Sequence, residues 1–350
     1  MNAGKIVFRF GAIIVKLLLA AFFLSGCHRA IKDAAVLPGV ELILAGITDD
    51  APAFTGPRFA LIPEGAEPGD PVTVGYCGNF TGQSAGQLKL QAVLVDGKGK
   101  RIAKAAFFNV NREEGEQELK AAILAIPSTA VSGNAHIRIE SAEGLVKELP
   151  FIITLRKFVS ETIPLNEENT DLRTKPDPQK TAESEQLWAI ISRTGTDIYC
   201  NGLFTPPVTS TRRTSFYGDR RIYRYIDGST DTTIHAGIDF GVPTGTDVRA
   251  CAQGKVVFAG LRIVTGNSVI LEHLPGVYSL YYHMDKIAVA KGDIVDTGAL
   301  LGKSGSTGLA TGPHLHWEIR VSGEDADPDA FMSHAVLDKR DIFNKMSNEN

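Results

Sequence analysis

Six of the eight histidines in this 350-residue chain lie between His235 and His334. Three local patterns among them suit metal or acid–base chemistry. In His235-Ala236-Gly237-Ile238-Asp239, an imidazole nitrogen and a carboxylate oxygen can both bind zinc, at ~2.0–2.2 Å. Gly237, with Gly241, Pro243 and Gly245 beyond it, argues against a helix, so this spacing reads as strand and turn. In His314-Leu315-His316-Trp317-Glu318-Ile319, strand alternation puts His314, His316 and Glu318 on one face. Leu315, Trp317 and Ile319 take the other. Two histidines two residues apart suit one direct ligand beside one base, or equally a solvated sheet surface. The third pattern is a strand, Val277–His283, that alternation divides into Tyr281 with His283 and Tyr278 with Leu280 and Tyr282. Leu274-Pro275-Gly276 turns it back from residues 268–273, and His273 at that partner's end reads as structural.

These patterns need a rigid sheet, and the chain supplies β signals. Glycine makes up 35 residues and proline 17, the balance of a turn-rich β protein. Residues 206–328 are β-rich and dense in glycine. From Arg58 to Leu155 about seven short alternating strands, separated by turns such as Asp96-Gly97, indicate an immunoglobulin-like β-sandwich. Between these blocks, residues 157–200 read as a polar connector, with a helix over Thr181–Arg193 that buries Leu187, Trp188, Ile190 and Ile191. Residues 333–350 read as a polar, frayed tail. The expected order is sandwich at 48–156, connector at 157–200 and a second, antiparallel β domain at 201–332, so the chain is mainly β. A formal charge of −4 offers no basic surplus for nucleic acid, which is excluded as a partner.

Taken together, the motifs resemble the lysostaphin-like (LytM-type) zinc endopeptidases of peptidoglycan. The resemblance rests on Ser215-Phe216-Tyr217-Gly218-Asp219-Arg220-Arg221, His235–Phe240, Gly266-Asn267, Tyr281-Tyr282-His283, Gly292-Asp293 with Val295, and Gly305–Glu318. It covers about a third of the chain and implies a C-terminal metallopeptidase domain. It also implies His235, Asp239 and His316 as ligands of one Zn2+ per chain, with His283 and His314 as catalytic residues. No His-Glu-x-x-His is present, so a histidine must move the proton. His314 is expected as general base and His283 as oxyanion stabiliser. Cys251, and Tyr217 between Phe216 and Gly218, depart from the family's usual residues but touch none of the five positions. The implied function is zinc-dependent hydrolysis of peptide cross-links in peptidoglycan. The alternative is a catalytically silent regulator that activates other cell-wall hydrolases.

The N-terminus reads as an address. Residues 1–26 hold Lys5, Arg9 and Lys16 and no acid, and Leu17–Leu24 is too short to span a bilayer. Leu24-Ser25-Gly26-Cys27 resembles the bacterial lipobox, which implies cleavage before Cys27, its lipidation, and a tether over 27–47. The protein is then an exported, membrane-anchored lipoprotein of the cell envelope. His28, in place of aspartate, favours the periplasmic face of the outer membrane over the inner membrane. Loss of three bases and no acids takes the charge from −4 to −7. With Cys27 lipidated, Cys77, Cys200 and Cys251 remain, and Cys200–Cys251 is the one expected disulfide.

Overall fold

Strand patterning divides the first module into two kinds of strand, and the computed structural model shows why. It describes residues 54, 56–78, 89–110 and 118–348; the expected leader, lipidated Cys27 and tether lie outside the described residues. Among the described residues, nine strands form the module: β1 (Arg58–Ile62), β2 (Gly65–Ala66), β3 (Pro71–Cys77), β4 (Gln91–Asp96), β5 (Arg101–Ala106), β6 (Phe108–Asn109), β7 (Leu119–Ala125), β8 (Gly133–Ser141) and β9 (Gly144–Ile153). They make a sandwich of a four-stranded sheet, β1-β3-β7-β6, and a five-stranded sheet, β2-β9-β8-β4-β5. The run Leu119–Ala125 is apolar at all but one position because β7 is buried on both faces. Gly133–Ser141 alternates because β8 faces a core on one side only. Tyr76, Leu94, Leu124, Ile137 and Phe151 pack between the two sheets.

The outer face of the four-stranded sheet joins a second core. Ala60, Cys77, Ala121 and Ile123 pack there with residues of the C-terminal domain, and Ala51–Asn350 form one compact unit. The expected connector is more ordered than its polar composition implied. It holds β10 (Ser160–Pro164), α1 (Glu167–Thr174) and α2 (Pro178–Ile191). Asp177 caps α2 through its side chain, with Pro178 in the first turn, so the helix starts three residues before the expected point. It buries Ile191 and partly buries Leu187 and Ile190, but Trp188 is 58% exposed, contrary to expectation. No described helix is long and apolar enough to cross a membrane.

The C-terminal domain contains β11 (Arg213–Ser215), β12 (Arg220–Arg224), β13 (Thr230–Ile234), β14 (Gly237–Phe240), β15 (Asp247–Arg249) and β16 (Gly254–Arg262). It continues through β17 (Gly266–Leu274), β18 (Val277–Ile287), β19 (Ile294–Val295), β20 (Leu300–Ser304), β21 (Leu315–Val321) and β22 (Glu324–Ala326). Ten of these make one antiparallel sheet, whose main path runs β11-β14-β21-β18-β17-β16-β19. β12 and β13 instead form a hairpin that accepts β10 in parallel. The expected hairpin at Pro275-Gly276 is present, with Gly276 at φ +81°.

After α3 (Pro328–Ser333), the stretch expected as a frayed polar tail forms α4 (Lys339–Asn348). Ile342 and Met346 lie one turn apart and are fully buried, with Phe343 partly buried against the same core. Gly75 of β3 makes room for them. A Cβ there would stand 2.5 Å from Ile342 Cγ2 and 3.1 Å from Met346 Cε.

The expected Cys200–Cys251 disulfide is absent; both are free thiols, as is Cys77. Cys251 Sγ is turned into the core, 3.7 Å from His273 Nε2, whereas Cys200 Sγ faces Gly202 O. Burial pushes the Cys251 thiol up to about 12.

Candidate active site

Two neighbouring strands bring the first three residues together. Asp239 on β14 pairs directly with His316 on β21, and His235 enters from the turn between β13 and β14. His316 Nδ1 lies 2.8 Å from Asp239 Oδ1, and His235 Nε2 lies 3.1 Å from that oxygen and 3.0 Å from His316 Nδ1. Leu315, Trp317 and Ile319 are fully buried in the core on the opposite face of β21, as alternation requires.

The remote ring nitrogens determine which atoms are free. His235 Nδ1 donates to Phe216 O at 2.8 Å, which leaves the Nε2 lone pair facing inward. His316 Nε2 faces Glu318 Oε2 at 3.3 Å, which leaves Nδ1 inward. Two imidazole nitrogens and one carboxylate oxygen thus form a triangle with edges of 2.8–3.1 Å. That is close to the roughly 3.3 Å edge subtended by two zinc bonds of ~2.0 Å at the tetrahedral angle. The donor set fits a metal ion.

Charge agrees with this reading. Burial opposes ionisation of Asp239, yet His235 and His316 hold its carboxyl well below the usual range. Burial also opposes charge on His316, but Asp239 and Glu318 outweigh it and raise His316 to about 9. Without a cation the cage therefore holds a proton, the charge that a metal ion replaces. Glu318 is itself buried, and against the cost of burial Arg320 and His316 keep it at about 2.

The remaining two histidines stand beside this triangle. His314 Nδ1 donates to Gly312 O at 2.8 Å, and its Nε2 lies 3.9 Å from Asp239 Oδ1. Its ring centroid is 4.7 Å from that of His283. His283 corrects the alternation reading, which gave it the face of Tyr281. Tyr281 points into the core, but His283 adopts φ +60°, and this left-handed turn swings its ring to the site. Two bonds hold it there, His283 N to Thr265 O at 2.9 Å and His283 Nδ1 to Thr307 O at 2.8 Å. Burial, with the nearby rings of His314 and His316, lowers its pKa to about 3. His273, expected as structural, is fully buried and bonds to Gln253 O and Ser279 Oγ, far from being a solvated strand end.

The structure thus brings together all five residues singled out from the sequence. Residues 233–328 match the model of peptidase family M23. These residues form a peptidase M23 domain. Over 127 residues it is 39% identical to the DD-carboxypeptidase/endopeptidase Mpg of Neisseria meningitidis serogroup B, a match covering 36% of this chain and 28% of the relative. Over 89 residues it is 43% identical to the peptidoglycan DD-endopeptidase ShyA of Vibrio cholerae, covering 25% and 21%. The chain therefore spans less than a third of the length of these curated relatives. A solved structure described as a peptidase M23 from Pseudomonas aeruginosa is 26% identical with TM-score 0.49, covering 73% of this chain and 92% of that one.

Two further residues around the site carry a weaker signal in the sequence. Glu318 was placed on the correct face by alternation, without a role. Arg221, whose Nη2 lies 2.5 Å from Asp239 Oδ2, follows Asp219-Arg220 with nothing local to indicate its partner.

Proposed function

We propose that this protein is a zinc metalloendopeptidase that hydrolyses peptide cross-links of peptidoglycan, with one ion held by His235, Asp239 and His316. The reading is carried by the convergence of those three donors with two further histidines whose Nδ1 atoms are engaged by backbone carbonyls, Gly312 O and Thr307 O. A bound zinc ion supplies Lewis-acid polarisation of a carbonyl and makes water more acidic. The chain's own residues handle the proton. His314, its Nδ1 committed to Gly312 O, offers the Nε2 lone pair as general base and can return the proton to the leaving amine. His283 has the same tautomer by way of Thr307 O, so it too accepts a proton in its resting state. It donates a hydrogen bond to an oxyanion only after gaining a second proton, which burial opposes. This favours His314 as the first base and confines oxyanion stabilisation by His283 to its protonated form.

The relatives named as acting on peptidoglycan support the substrate class. The lipobox-like Leu24-Ser25-Gly26-Cys27 supports anchorage of the same protein to a membrane through lipid on Cys27, facing the wall. The test is digestion of purified peptidoglycan by the full-length chain, with mass spectrometry of the muropeptides. Cross-linked dimers should fall and monomers rise, chelation should stop this, and His314→Ala should abolish it while keeping metal content. Unchanged muropeptides with stimulation of a separate amidase would instead support the silent-regulator reading.

A further inference from the structure

Arg221 lies outside the matched residues 233–328 and outside the histidine cluster. Its β12 position is central to the small sheet, between β10 and β13, and its side chain is 15% exposed. The guanidinium reaches in two directions. Nη2 meets Asp239 Oδ2 at 2.5 Å, and Nε faces Glu161 Oε1 at 3.3 Å. Glu161 is the residue directly opposite Arg221 in the parallel β10–β12 ladder. Its carboxylate also accepts from Ser215 Oγ at 3.2 Å, and Ser215 is paired with Asp239 across β11–β14.

The two oxygens of Asp239 are therefore divided. Oδ1 faces His235 Nε2 and His316 Nδ1, while Oδ2 faces the arginine. A carboxylate that is free to turn binds a cation through one oxygen or two. A planar guanidinium with fixed donors blocks the second mode and the rotation that leads to it. We propose that Arg221, itself held by Glu161 of the connector, is a positioning residue that restricts Asp239 to one-oxygen ligation. This inference rests on the metal-site reading above. It makes the connector part of the site, since β10 supplies the carboxylate that orients the arginine.

Cobalt(II) in place of zinc gives a readout independent of turnover, because its visible absorption weakens as coordination rises from four to five. In full-length protein, Arg221→Met should bind Co2+ and Zn2+ roughly 10- to 100-fold more weakly, as loss of an outer-shell partner does. Its cobalt bands should also lose intensity as Oδ2 joins the ion. Loss of a nearby positive charge alone would tighten cation binding, so weaker binding marks lost position. Arg221→Lys should restore part of the affinity, and Glu161→Gln should shift both readouts in the direction of Arg221→Met by less. These two variants carry the test if Arg221→Met does not fold. A folded Arg221→Met with wild-type band intensity, or with tighter binding, would overturn the proposal. A wild-type chain that takes up no cobalt would overturn the metal-site reading itself.

Discussion

The ring of Tyr282 lies flat against that of His316, with centroids 5.4 Å apart and planes within 5°. The next residue, His283, meets the same ring edge-on at 6.3 Å. Consecutive residues of a regular strand face opposite ways, so both can reach His316 only because β18 departs from strand geometry at His283. Stacking immobilises His316 from the side, while Asp239 and Glu318 fix its two nitrogens.

That departure has an energetic cost that a substitution can reveal. A residue with a Cβ at φ +60° is disfavoured by roughly 1–2 kcal/mol relative to glycine. His283→Gly should therefore unfold at a higher denaturant concentration than His283→Ala, although both lose the ring. Equal midpoints, or a more stable alanine variant, would show that His283 carries no backbone strain.

A proton on His316 should compete with metal. His316 titrates at about 9 without a cation and must be deprotonated to donate Nδ1. Metal affinity should rise about tenfold per pH unit through the neutral range and level off above that value, with one proton released per ion. Chelator competition at several pH values, with calorimetry in buffers of different ionisation enthalpy, checks both statements. A flat profile would contradict them.

His273 predicts a separate loss of stability in acid. It is fully buried, and burial lowers it from 6.5 to about 4. Above 6.5 neither the folded nor the unfolded chain protonates it. As pH falls from 6.5 towards 4 only the unfolded chain gains the proton, and below 4 both carry it. Stability should therefore drop by up to about 3 kcal/mol across that window and then stop changing on this account. Urea unfolding of wild type and His273→Gln should differ in slope there and run parallel above pH 7.

The contact between Gly75 and α4 should show strong coupling. Ile342→Ala removes buried apolar volume and should cost about 2–4 kcal/mol. Gly75→Ala forces a Cβ onto Ile342 and should cost about 1–3 kcal/mol. Together they should cost clearly less than the sum, because the new methyl occupies the space the isoleucine leaves. Simple additivity would show that the helix shifts instead of holding its seat.

Legibility varied with the kind of interaction. His314, His316 and Glu318 could be placed because they repeat every second residue on a strand whose other face, Leu315, Trp317 and Ile319, is apolar. His283 could not, since a positive φ at histidine leaves no mark in alternation. The link from Arg221 to Asp239 depends on how two sheets abut, which no local pattern carries. Trp188 fits the apolar stripe of its helix but projects beyond the contact that buries Ile191. The C-terminal stretch is polar on average, and three apolar residues, Ile342, Phe343 and Met346, mark its buried side.

The last described helix seals the outer face of a sheet built from the first described strands. During synthesis, which proceeds from the N-terminus at about 5–20 residues per second, Ala60, Gly75 and Ala121 stay uncovered until residue 346 is available. The first module therefore cannot finish folding ahead of the rest. Its exposed apolar face persists until residue 346 has emerged, so any segment-by-segment passage through a pore would meet an incompletely locked chain.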